Sequence, residues 1–246
     1  MIIAVCNQKG GQGKTTTAQA IATGAAQIGR KSLAIDFDPQ GNLTFSMGGN
    51  GADVGAYELI TGKTTPGQTI QRTRQGDLIA ASSSLALADT TFTGEARINA
   101  LKTALKPIKK KYDVITIDCP PTLNTLLINA LTAADMVIIP LTADIYALQG
   151  LYQLKQSIEA AQKLNPGLQI GGVVFTRHST RTILSRDLTD VISDKCRELD
   201  IPVYKTVIRE GVAVREAQTQ RESLFTYAPK SKPAKDYMQL IKEINL

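Results

Sequence analysis

An apolar run, IIAVC (2–6), leads straight into NQKGGQGKTTT (7–17), and this join of strand, glycine-rich turn and helix start constrains the fold more than any other stretch of the chain. Without side chains at Gly10, Gly11 and Gly13, successive backbone N–H groups can converge on phosphate oxygens, and the following helix N-terminus adds partial positive charge. In such a loop Lys14 reaches the β- and γ-phosphates, the Thr15 hydroxyl ligates Mg²⁺ and Thr16 bonds the α-phosphate. Lys9 through Thr16, including Gln12, therefore form the candidate nucleotide-binding set. The usual pattern would place its first glycine at position 8, which is Gln8, and it has no place for a second lysine, here Lys9.

Around this loop, β-branched runs alternate with longer helical patterns. Strands are predicted at 2–6, 32–36, 77–81, 113–118, 136–140, 170–175 and 202–208, and helices at 15–28, 95–111, 123–134, 147–164 and 183–199. Continuous hydrophobicity within the strands fits burial on both faces. The expected fold is α/β, a mostly parallel twisted sheet flanked by helices, in one domain spanning 1–246. Residues 47–76, rich in Gly and Thr, read as a surface excursion. Cys6, Cys119 and Cys196 are widely spaced and odd in number, which suits a reducing compartment. With no basic leader at its start and no apolar run of bilayer length, the chain reads as cytoplasmic. Its net charge of +6 is compatible with an anionic partner without identifying one.

Hydrolysis of a triphosphate needs carboxylates at neighbouring strand ends. Asp118 closes the run VITID, where a carboxylate behind Mg²⁺ belongs, and Asp36 and Asp38 close the second strand in AIDFDPQGN, where alternation points both to one side.

These segments, with YDVITIDCPPTLNTLLINALTAADMVIIP (112–140), YALQGL (146–151) and YKTVIREGVAVREA (204–217), resemble the ParA/Soj partition ATPases. That family lies within the deviant Walker A class of P-loop NTPases, beside MinD and the nitrogenase iron protein. The resemblance covers nearly the whole chain. It implies ATP and Mg²⁺ as cofactors, and a homodimer with ATP sandwiched between subunits, in which Lys9 crosses to the partner's nucleotide. It also implies that Asp38 orients the attacking water, that Thr15, Asp36, Asp38 and Asp118 make up the Mg²⁺ environment, and that Lys9, Lys14 and Asp38 carry catalysis. Thr176, Arg177, Ile208 and Arg209 fall where the family contacts the nucleotide.

By the same resemblance the protein binds nonspecific double-stranded DNA, is nucleoid-associated and is activated by a ParB-like partner. Arg177, Arg181, Arg215, Lys230 and Lys232 are the candidate DNA contacts. The segment VIREGVAVREAQ departs from the family's V-I-P-R-N-V-R-L-S-E-A-P, with Arg209 and Gln218 at the two prolines and Ala213 at a basic position. Alternative readings are ParA-like positioning of a protein cargo such as carboxysomes and MinD-like membrane cycling. Against the latter, Tyr237, Leu240, Ile241 and Ile244 fit a core-packing face of a final helix, so no membrane partner is expected. Lys102, Lys106, Lys109, Lys110 and Lys111 form a further basic run that reads as a solvated helix face.

Overall fold

The apolar runs form strands whose side chains alternate between apolar clusters on the two faces of the sheet. The computed structural model describes residues 1–51, 54–94, 96–179 and 183–246. Its sheet contains β1 (Ile2–Val5), β2 (Ser32–Asp36), β3 (Ile70–Thr73), β4 (Gly76–Ile79), β5 (Val114–Asp118), β6 (Met136–Leu141) and β7 (Gln169–Phe175) in the order β3-β4-β2-β5-β1-β6-β7. Every pairing is parallel except β3 with β4. Ile2, Ala4 and Cys6 join one core, and Ile3 and Val5 join the other. Burial on both sides is why these strands read as unbroken hydrophobic stretches.

The helices are α1 (Lys14–Gln27), α2 (Asn42–Ser46), α3 (Ala56–Ile60), α4 (Pro66–Thr69), α5 (Ala88–Thr91), α6 (Ala96–Leu105), α7 (Thr125–Ala133), α8 (Ala147–Leu164), α9 (Ile183–Glu198), α10 (Val212–Thr219), α11 (Leu224–Tyr227) and α12 (Lys232–Glu243). Residues of α6 to α9 pack into the first core, and those of α1 and α10 to α12 into the second. Tyr237, Leu240 and Ile241 of α12 are buried, as their spacing predicts. Burying such a side chain stabilises by about 1.5–3 kcal/mol. Among the described residues no helix is long and apolar enough to cross a membrane.

Three expectations need correction. The predicted helix over 95–111 stops at Leu105 and resumes only as a 3₁₀ turn, Lys109–Lys111. Pro107 explains the break, since it lacks an N–H and disfavours helix in the residue before it. The excursion 47–76 carries α3, α4 and the edge strand β3. Finally, 202–208 is not a strand. It touches β7 through Val173 and Val203, and the Lys205 and Thr206 amides then turn away to donate to the Glu243 carboxylate at 2.7 and 3.1 Å.

Candidate nucleotide-binding site

β1, β2 and β5 end side by side, with Val5 opposite Asp118 and Asp36 opposite Asp118 across the ladders. The glycine loop crosses above this point and opens α1. Asn7 shapes its start: the Asn7 side chain accepts from the Lys9 amide at 2.9 Å and donates to the Pro140 carbonyl at 2.7 Å. Gly11 and Gly13 have φ of 73° and 83°, a left-handed conformation that glycine adopts without strain. A Cβ at Gly10 or Gly11 would meet nothing within 4 Å, so the space over the loop is open to a ligand. The loop is also tied to β6 and β7, because the Thr142 amide donates to the Gln12 side chain at 2.7 Å and the Thr176 hydroxyl to the Gln12 carbonyl at 2.9 Å.

Below and beside the loop lies a cleft of about 900 Å³. Lys14, Thr15, Thr16 and Asp38 line it, and Thr176 and Ile208 form part of its wall. Lys14 is buried, with its ammonium donating to the Lys9 carbonyl at 3.2 Å. Lys9 behaves differently. Its side chain is 39% exposed and does not line the cleft; its ammonium pairs with Asp144 at 2.7 Å and lies 5.5 Å from the Tyr146 ring centroid. Partial burial pushes the Asp144 carboxyl up, but the Lys9 hydrogen bond, the Tyr146 amide and the Lys9 charge outweigh it and hold the group below its ordinary range.

The three carboxylates separate. Asp36, fully buried, accepts from the Thr44 amide at 2.6 Å, the Thr44 hydroxyl at 2.7 Å and the Asp38 amide at 3.3 Å. Thr44 lies in the first turn of α2 and also accepts from the Ala81 amide at 2.8 Å, so Asp36 binds the ends of β2 and β4 to α2 and does not face the cleft. Burial raises the Asp36 pKa to about 6, against the lowering effect of the Thr44 bonds. Asp118 is equally buried and likewise does not line the cleft, yet among the described residues neither of its carboxylate oxygens has a hydrogen-bond partner. Its pKa is pushed well up by burial and by the charge of Asp36, while the nearby Thr15 hydroxyl and Lys14 act in the opposite direction. Asp38 lines the cleft and accepts from the Gln40 amide at 3.0 Å.

Among the described residues no three His, Cys, Asp or Glu side chains form a metal cage. Mg²⁺ is bound through one or two protein oxygens together with water and substrate phosphates. The orphaned Asp118 carboxylate beside Thr15 fits such an ion.

Other expected residues fall around the rim. Arg177 adopts φ 52° and pairs with Glu210 at 3.4 Å, and Arg215 lines the cleft from α10. Arg209 also lines the cleft, but Asp236 holds it, accepting from its amide at 3.0 Å and its Nε at 2.8 Å. Lys230 and Lys232 flank Ser231, the N-cap of α12, and Pro233 packs against Gly211 just before α10. Arg181 lies outside the described residues. Sequence reasoning gave no role to Gln218, whose side chain donates to the Thr16 hydroxyl at 3.1 Å, or to Phe45, which lines the cleft from α2.

A parallel sheet with a glycine-lysine loop between β1 and α1, over paired strand-end aspartates, defines a P-loop nucleotide-binding protein. A family model described as an AAA domain matches residues 1–170. The chain is 40% identical over 252 residues to the sporulation initiation inhibitor protein Soj of Bacillus subtilis (strain 168), covering 99% of this chain and 97% of that protein. It is 37% identical over 247 residues to the chromosome-partitioning ATPase Soj of Treponema pallidum (strain Nichols), covering 97% and 94%. The crystal structure of cobyrinic acid a,c-diamide synthase from Mycobacterium smegmatis with bound ADP and magnesium matches with a TM-score of 0.86 at 34% identity, covering 98% and 92%. The chain belongs to the Soj and ParA family of partitioning ATPases.

Proposed function

We propose that this chain is an ATP-dependent, dimerising partition ATPase, working as one domain over 1–246, that coats DNA nonspecifically and moves plasmid or chromosome cargo with a ParB-like partner. The observation that carries this reading is the contrast between its two loop lysines. Lys14 is buried at the cleft, whereas Lys9 is half exposed and held by Asp144 outside it. A lysine so placed suits a phosphate belonging to a second subunit, in the manner of an arginine finger supplied in trans.

In this mechanism the amides of residues 10–16 hold the phosphates of ATP, and Lys14 reaches the β- and γ-groups. Thr15, Asp38 and Asp118 would hold Mg²⁺, which when bound would neutralise phosphate charge during transfer. Asp38 orients the attacking water, while Asp36 keeps α2 and the loop carrying Asp38 in place. Thr176 and Ile208 offer the wall for the base, and Arg177 and Arg209 stand at its edge. Pairing of two subunits joins two sets of Arg177, Arg181, Arg215, Lys230 and Lys232, so tight duplex binding follows ATP. Hydrolysis reverses it. DNA cargo is favoured over a protein assembly because curated relatives are chromosome-partitioning proteins.

The two lysines provide the test. Lys14→Ala should weaken ATP binding at least ten-fold in a fluorescent-nucleotide titration, about 1.4 kcal/mol. Lys9→Ala should bind ATP normally as a monomer yet lose turnover and fail to dimerise in light scattering. Wild-type turnover in Lys9→Ala would overturn the trans assignment.

A further inference from the structure

The lysine run left over from the sequence belongs to a larger surface at the opposite end of the sheet. The strands enter β1, β2, β5 and β6 there, and backbone contacts draw their preceding loops together. The N-terminal ammonium donates to the Asp113 carbonyl at 2.8 Å, the Lys31 amide to the Asp113 carboxylate at 2.8 Å, and the Asp113 amide back to the Lys31 carbonyl at 2.8 Å. Asp135 joins them, accepting from the Ile2 amide at 2.7 Å and from Lys109 at 2.9 Å. Arg30, Lys31, Lys102, Lys106, Lys109, Lys110 and Lys111 therefore lie at one edge of the molecule, around the end of the sheet where β1, β2, β5 and β6 begin, all exposed.

Only Lys109 of these seven is in an ion pair among the described residues. Asp113 and Asp135 are interleaved with them, and Asp77, which accepts from the Tyr112 hydroxyl at 2.7 Å, lies beside Lys111. Against totals of 28 basic and 22 acidic residues, the rest of the chain carries 21 and 19, so four of the six surplus positive charges reside in this patch. The patch is also built of backbone that does not touch the nucleotide cleft. Five-residue strands at 3.3 Å per residue set it roughly 15 Å from the phosphate loop.

We propose that this edge is a second, nucleotide-independent contact surface for the phosphate backbone of duplex DNA. Concentrated, unpaired lysines and arginines neutralise phosphates without reading bases. A membrane fits less well. The nearby exposed large apolar side chains, Ile28 and Leu164, come one each from α1 and α8, and the chain has no Trp to form an interfacial belt. Because the patch and the ATP-gated rim lie at opposite ends of the strands, one ATP dimer presents both, and two duplexes can be held at once. The surface stands independently of the ATP-gated reading, since it needs neither nucleotide nor dimer.

The test uses the full chain and a fluorescently labelled 30-base-pair duplex of arbitrary sequence, titrated by anisotropy over a salt series without nucleotide and with ATP. Wild-type protein should bind weakly without nucleotide. The triple variant Lys106→Gln/Lys110→Gln/Lys111→Gln should lose at least ten-fold in that affinity near 50 mM salt and about 2–3 units of log-log salt slope, whereas the corresponding arginine triple should retain both. ATP turnover and thermal stability should be unchanged in the glutamine triple, which separates lost contact from misfolding. Arg215→Ala should do the reverse, weakening only binding with ATP; its failure would strike the gated face alone. No nucleotide-free binding by wild type, unchanged binding by the glutamine triple, or binding to phosphatidylserine vesicles but not to the duplex would each overturn the proposal.

Discussion

Asp36 and Asp118 sit opposite each other on adjacent parallel strands, both fully buried, and their surroundings are opposite. Around Asp36 the end of β2 is closed: a hydroxyl and two amides converge on the carboxylate and tie it to α2. Around Asp118, at the end of β5, neither carboxylate oxygen has a hydrogen-bond partner among the described residues, and only the nearby Thr15 hydroxyl and Lys14 charge favour its ionised form. A buried carboxylate with partners is part of the scaffold; one without partners is stored for a ligand, because the fold bears its desolvation until a cation arrives.

The sharpest way to break this contrast is Asp118→Asn. Turnover with Mg²⁺ and ATP should fall at least 100-fold, about 2.7 kcal/mol of transition-state stabilisation, while the nucleotide-free protein melts no lower than wild type. A variant that hydrolyses normally would make Asp118 another scaffold residue. Next in size is Asp36→Ala, which strands the Thr44 amide and hydroxyl and should lower unfolding free energy by about 2–3 kcal/mol in urea titration. Unchanged stability would mean that the closed end of β2 is not a scaffold at all. Thr44→Val, which removes one donor to Asp36 and the acceptor for Ala81, should cost about 1–2 kcal/mol in the same measurement.

The smallest effect is a pH dependence. Both carboxyls have folded pKa values above the ordinary 3.8, Asp36 at about 6 and Asp118 also well raised, so the folded state binds more protons than the unfolded state above the ordinary value. The contribution is fully present below the unfolded value and is lost as pH rises through the folded ones. Nucleotide-free protein should therefore melt a few degrees lower at pH 8 than at pH 6 from these groups. In Asp118→Asn the difference should shrink; if it does not, the open carboxylate is not carrying it.

These contrasts show where sequence reading stops. The phosphate loop was legible because its conformation is local: Gly11 and Gly13 supply positive φ, and the apolar run before them enforces the strand. The strand ends carrying Asp36 and Asp118 were legible for a similar reason. Their divergence was not, since Asp36 is satisfied by Thr44, eight residues on and in a helix too short to show periodicity. Strand β3, reading IQRT, has neither a hydrophobic run nor a clear alternation. The run 202–208 has strand-like residues, and its Tyr204 and Ile208 amides reach β7, but Glu243 across the fold claims the Lys205 and Thr206 amides between them and interrupts the ladder. Pro107, by contrast, was visible, and it marks the break in the helix that 95–111 would otherwise form.

The pairing of Lys9 with Asp144 has a consequence for encounter between two chains. Two phosphate loops brought face to face would set one exposed ammonium against another, and that repulsion grows as water is squeezed out. With Asp144 at 2.7 Å the ammonium travels already neutralised. In the dimer proposed above, approach would then be unopposed at this point, and the lysine would change anions only once a phosphate came near enough to compete, leaving a carboxylate uncovered in its place.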